Sequence, residues 1–169
     1  MAKKSNNGLK VLLDIGTILF GVLVIVFMAL KYIKQELSAG SLSKSNEYNG
    51  FKLISFGDES LLGNGVAVAM LLLAIFAGIL AFAGILKLIA DLGVVKNKSF
   101  SKVANFACII MAIVVVVMAI VVMIAVPSNC KSEILGKLAG GSYPLWFPLI
   151  LNLVLGIGAT ATSLIASKK

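Results

Sequence analysis

The chain has 169 residues, is 60% hydrophobic and carries a formal charge of +8, with a mean hydropathy of +1.06. Soluble domains are roughly 45–50% apolar, so a water-soluble globular or disordered protein is excluded. The 15 basic residues are all Lys, His is absent and Cys occurs twice, which excludes Ser/His/Asp and Cys/His catalysis and any zinc or haem ligand set within one chain.

The first apolar run, Val11 to Leu30, has about 20 residues and at 1.5 Å rise reaches across a hydrocarbon core of about 30 Å. It follows Met1-Ala2-Lys3-Lys4, as a signal peptide would, but signal h-regions are about 7–15 residues long. Lys31 and Lys34 also stand between it and the small residues Ser38-Ala39-Gly40, so the span is expected to be retained. Asp14 is the one acidic residue inside an apolar run, with Thr17 and Gly21 following on the same helical face. Its neighbour at four residues' spacing, Lys10, and the positive end of the helix dipole predict a structural ion pair. The alternative is coupling to an ion or substrate, since intramembrane polar groups are costly and often functional.

Residues 32–65 form a long loop rich in Ser, Gly and Asn. Asn49-Gly50 is a two-residue hairpin signal, and Phe51 to Phe56 suits a following strand, so a small β-hairpin is expected there, with an irregular loop as the alternative. Asp58-Glu59 is an adjacent carboxylate pair in this loop, read as solvated.

The second span runs from Val66 to Leu86, the third from Ala104 to Val126 and the fourth from Leu145 to Ala166. Residues 87–103 extend the second helix before a turn near Asn97. Pro127 is expected to stop the third span, because proline lacks the N–H that continues a helix, and Pro144 and Pro148 to open the fourth. Cys108 and Cys130 lie about 33 Å apart at helical rise, too far for a disulfide. Tyr32, Tyr143, Trp146 and Phe147 cluster at the same ends of spans one and four and read as interfacial anchors.

Small residues mark the packing faces. Ala74, Gly78, Ala81 and Gly84 recur along span two; Gly156 and Thr160 lie with Asn152 and Ser163 on one side of span four; Ala104, Cys108, Ala112 and Ala119 form a thinner seam in span three. Small faces let helix backbones approach closely. They read first as packing within one chain, and alternatively as contacts in a homo-oligomer or with another membrane protein. Asn152 is expected to make an interhelical hydrogen bond, with transport as the competing role, and Asn105 to be interfacial.

With the N-terminus inside, nine lysines (3, 4, 10, 87, 96, 98, 102, 168 and 169) face the cytoplasm and six (31, 34, 44, 52, 131 and 137) face out. This bias predicts both termini in the cytoplasm of a plasma-membrane protein, with the inner lysines near anionic lipid and no role for nucleic acid. Gly156 to Ala161 imitates a dinucleotide fingerprint, but no strand precedes it. Asn97-Lys98-Ser99 is a glycosylation sequon on the expected cytoplasmic side. No catalytic, cofactor or metal residue is expected, and the chain is not read as an enzyme.

The order of spans and loops resembles the tetraspan topology of claudin-like proteins, without the Trp and paired Cys of the claudin loop. The stretch Tyr48-Asn49-Gly50-Phe51-Lys52-Leu53-Ile54-Ser55-Phe56-Gly57 between spans one and two, with the Lys-only basic set, resembles small uncharacterised four-span proteins of low-GC Gram-positive bacteria, which imply no activity. The expectation is an all-α membrane protein, a single four-transmembrane-helix bundle over residues 1–169. Its expected function is that of a non-enzymatic structural or accessory protein acting through helix packing and its outer loop. The alternative is a small oligomeric transporter or channel using Asp14, Thr17 and Asn152.

Overall fold

Buried positions repeat at alternating steps of three and four along each apolar run, the period that keeps a seam facing its neighbours in a left-handed bundle. A computed structural model describes residues 2–39, 42–57, 61–95, 97–130, 132–135 and 138–168. Helix α1 spans Ala2–Phe27, α2 Asn64–Asp91, α3 Lys98–Asn129 and α4 Trp146–Ser167. On α1 the buried seam is Asp14, Thr17, Gly21 and Val24; on α2 it runs through Val66, Met70, Leu73, Ala77, Leu80, Gly84 and Lys87. The outward positions are Leu, Ile, Val and Phe, such as Leu12, Leu19, Phe82 and Ile124. Apolar faces on both sides are what lipid requires of a spanning helix. All four helices are long and apolar enough to cross a membrane, which supports a multi-pass membrane protein built as a helix bundle.

The chain divides into two units, Met1–Val26 with Ala74–Val117 and Leu153–Lys169, and Phe27–Leu73 with Met118–Asn152. The first, the terminal unit, consists of parts of all four helices. Close backbone approach is concentrated at a few glycines. A Cβ on Gly21 would lie 3.0 Å from the Ala77 carbonyl oxygen and 3.1 Å from the Ala81 nitrogen, and one on Gly156 would lie 3.3 Å from Val116 Cα.

The second, the sheet unit, contains strands β1 (Lys31–Ala39), β2 (Leu42–Asn49), β3 (Ser132–Leu135) and β4 (Leu138–Pro144). They form an antiparallel sheet in the order β2-β1-β4-β3. Lys34 faces Glu47 on β2 and Tyr143 on β4, and Glu36 faces Ser45 and Gly141. The Leu145 N–H donates to the Tyr32 carbonyl at 2.7 Å, fastening β1 to the entry of α4.

Several expectations are corrected here. The hairpin exists, but its strands pair from Lys31 with Asn49 to Ala39 with Leu42, so Asn49-Gly50 is not its turn. Asn49 instead caps a 3-10 turn at Gly50–Leu53, its side chain accepting from the Lys52 N–H, so Phe51 to Phe56 is not a strand. Gly50 is needed there for closeness, since a Cβ would fall 2.8 Å from Met70 Cε and 2.9 Å from the Met28 carbonyl. The connection between α3 and α4 supplies two further strands, so the sheet is larger than a hairpin. Pro127 does not stop α3, which continues to Asn129. Pro148 sits in the first turn of α4, while Pro144 ends β4. Asp58 and Glu59, with Lys96, Lys131, Lys137 and Lys169, lie outside the described residues.

Candidate functional site

The buried polar residues of the terminal unit, Asp14, Thr17, Lys87 and Ser163, lie on its inner seams. Asp14 is fully buried, and its Oδ1 lies 2.9 Å from Nζ of Lys87, itself 3% exposed. Lys10 is not the partner that sequence spacing assigned: Lys87 arrives from α2, at the next seam position after Ala77, Leu80 and Gly84. The contact is an ion pair rather than a well-angled hydrogen bond. Among the described residues, neither Asp14 oxygen nor Lys87 Nζ has a hydrogen-bond partner of good geometry. Asp91, one turn beyond Lys87, interacts with the same carboxylate.

One turn along α1, Thr17 Oγ1 meets Thr162 Oγ1 at 2.8 Å and Ser163 Oγ at 3.3 Å, and Ser163 Oγ meets Cys108 Sγ at 3.5 Å. Each of these groups has one proton to give. One consistent arrangement runs from Cys108 to Ser163, Thr17 and Thr162, whose hydroxyl then donates to the carbonyls of Gly158 or Ala159 at 3.1 and 3.0 Å. Four side chains from three helices thus share a single chain of hydrogen bonds. Such bonds contribute about 0.6 kcal/mol on average between membrane helices.

In the sheet unit, Tyr32 is fully buried and its hydroxyl accepts from Asn152 Nδ2. Tyr32 is therefore not exposed as an interfacial anchor would be, whereas Tyr143, Trp146 and Phe147 are exposed. Burial pushes its phenol up to about 12, against a small opposing pull from the Asn152 donor. Burial also raises the Cys130 thiol, and Ser142 partly offsets it. A groove of about 440 Å³ on the sheet is lined by Lys34, Glu36, Ser43, Lys44, Gly141 and Tyr143 among others. Lys34 pairs with Glu36 at 2.5 Å, and Lys31 with Glu47.

The candidate packing residues separate by environment. Ala81, Gly84 and Gly156 are buried, whereas Ala74, Gly78 and Thr160 are half-buried. A Cβ on Gly78 would meet only Ile25 Cδ1, at 3.9 Å, while one on Gly84 would fall 2.7 Å from Ile18 Cγ1. Thr160 donates back to the Gly156 carbonyl at 3.0 Å. Sequence reasoning brought Asp14, Thr17 and Asn152 forward but missed Lys87 and Tyr32. For Lys87 the signal was present, as the next three-residue step of a small-residue seam. Among the described residues, no group of three or more His, Cys, Asp or Glu stands where it could hold a metal ion.

Compared with protein-family models, curated proteins and solved structures, the chain matches none. The functional argument therefore rests on this geometry.

Proposed function

We propose that the protein is a non-enzymatic membrane protein of structural or accessory type, which presents a polar sheet to a partner and uses its buried polar groups to hold its helices in register. The observation that carries this reading is where the intramembrane polar side chains go. Asp14 is opposite Lys87, Thr17 is in the hydroxyl chain with Thr162 and Ser163, and Asn152 donates to Tyr32. Each ties one segment to another, which is the role that polar residues play between membrane helices. The grooved sheet, with charged and hydroxyl side chains around Tyr143, is the surface offered for contact. In this reading both termini are cytoplasmic, the membrane is the plasma membrane and the sheet lies outside.

Transport through Asp14, Thr17 and Asn152 is the second reading, favoured by one observation: Asp14 Oδ2 has no hydrogen-bond partner among the described residues. Reconstitution separates the two. The accessory reading expects no ion or proton flux in vesicles and a co-purifying membrane protein in mild detergent. Robust flux that disappears in Asp14→Asn overturns it in favour of transport.

A further inference from the structure

We propose that the cavity lined by Lys10, Lys87, Asp91, Lys102 and Asn105 in the terminal unit binds the phosphate of an anionic glycerophospholipid whose headgroup also carries hydroxyls. The cavity measures about 140 Å³ and draws lining residues from all four helices, with Ser101 on α3 and Ala166 and Ser167 on α4. At about 30 Å³ per water, that is roughly four or five water volumes, the scale of a phosphate and its ester oxygens.

Two buried atoms point to a ligand. Lys87 is 97% buried, lines the cavity, and its Nζ has no hydrogen-bond partner of good geometry among the described residues. Its ion pair with Asp14 uses one direction of an ammonium that has three donors. Asn105 Oδ1 is a buried acceptor, likewise without a partner among the described residues. A phosphate oxygen would satisfy the first and a headgroup hydroxyl the second. The charge agrees: three lysines against Asp91 and Asp14 leave one positive charge. A phosphodiester with a neutral polyol headgroup carries one negative charge, whereas a choline headgroup cancels it and has no donor for Asn105.

The lipid rather than a soluble phosphate ester is favoured by what surrounds the cavity. Val103 and Phe106, each next to a lining residue on α3, are both 67% exposed, on a helix apolar enough to cross a membrane. Acyl chains attached to the bound headgroup would run along these side chains.

The test uses the full chain, purified in mild detergent and delipidated, with native mass spectrometry as the readout. Probes are phosphatidylglycerol and phosphatidylcholine of equal chain length, with glycerol phosphate and inorganic phosphate as competitors. Wild type is expected to bind one phosphatidylglycerol with at least roughly tenfold preference over phosphatidylcholine, the worth of one charge-assisted contact. Lys102→Gln, at an exposed position that leaves the Asp14–Lys87 pair intact, should lower that affinity about tenfold. Lys44→Gln on the sheet should leave it unchanged, and neither competitor should displace the lipid at millimolar concentration. Equal binding of the two lipids, or equal effects of the two substitutions, overturns the site. Displacement by glycerol phosphate or phosphate at potency equal to the lipid's overturns the lipid assignment in favour of a soluble phosphate ester.

Discussion

Removing Lys87 while leaving Asp14 in place tests the central geometric claim, because it strands a carboxylate that has no water to turn to. Both side chains lie on the inner seams, 0% and 3% exposed. Breaking a buried ion pair by deleting one partner costs about 3–5 kcal/mol, since the remaining charge keeps its desolvation penalty and loses its compensation. Lys87→Met is therefore expected to lower stability by about that amount. At about 2–4 °C per kcal/mol for a chain of this size, the melting temperature in detergent should fall by roughly 6–20 °C. Replacing both members, Asp14→Leu with Lys87→Met, removes both penalties and should recover most of the loss, because apolar substitution of a buried pair is often neutral or stabilising.

The double-mutant cycle then gives a coupling energy of about 2 kcal/mol or more, at the upper end of the range for groups in contact. The assay is thermal unfolding of the four variants in one detergent, followed by tryptophan fluorescence from Trp146 or by loss of solubility. A Lys87→Met loss under about 1 kcal/mol, or a double mutant as unstable as the two singles added together, refutes the buried pair. A Lys10→Met cycle is the control. Coupling of Asp14 to Lys10 as strong as to Lys87 would restore the pairing read from the i,i+4 spacing.

Gly21→Ala should destabilise by about 1–3 kcal/mol because its Cβ meets the backbone of α2, while Gly78→Ala, with 3.9 Å of room, should be neutral or slightly stabilising in the same melt; equal losses would count against the close α1–α2 contact. Tyr32→Phe should cost about 1–3 kcal/mol by leaving the Asn152 amide without its acceptor. Because burial pushes the Tyr32 phenol up to about 12 from its ordinary 10.0, wild-type stability contributed by this group is complete below pH 10 and lost as pH rises through 12; that alkaline loss should be absent from Tyr32→Phe, and identical profiles would refute it. Cys130 should react with an impermeant maleimide outside intact cells, slowly at neutral pH because burial raises its thiol, while a cysteine in the Ser99→Cys variant should not; reversed labelling would invert the proposed orientation.

The four helices were legible because lipid forces a backbone to satisfy itself, so a run of about 20 apolar residues has one structural solution. Their ends were only partly legible, because hydropathy fades before helical hydrogen bonding does. Residues 87–91 continue α2, as expected before a turn near Asn97, whereas the first two turns of α3, which are polar, begin ahead of the apolar run at Ala104. Pro127 was over-read because a proline removes only its own i→i−4 bond, and Ser128 and Asn129 after it stay helical. The sheet was only half visible. Lys31 to Asn49 alternates weakly, and Leu138 to Pro144 contains Gly140-Gly141, which disfavours a strand on its own. These segments become strands by pairing with each other, with Leu37 packing over Gly140 and Tyr143 folding back over Gly141.

The candidate site divides along the same line. Asp14, Thr17 and Asn152 stood out because a polar residue in an apolar run is conspicuous wherever it points. Lys87 and Tyr32 did not, because each sits at the edge of a run, where a lysine ordinarily snorkels and a tyrosine ordinarily anchors. Both interpretations assume that the side chain faces lipid or water. Lys87 is placed inward by its seam position on α2 and Tyr32 by strand β1, and an inward lysine needs an anion, just as an inward tyrosine needs a hydrogen-bond partner. Asp14 and Asn152 meet those two requirements, so the conspicuous residues and the overlooked ones are members of the same pairs. An intramembrane carboxylate such as Asp14 is therefore best read with the seams of the other spans extended a step past the apolar boundary, where Lys87 has lost the hydropathy signal but kept the helical register, whereas the partner of Asn152 lies on a strand that helical register does not reach.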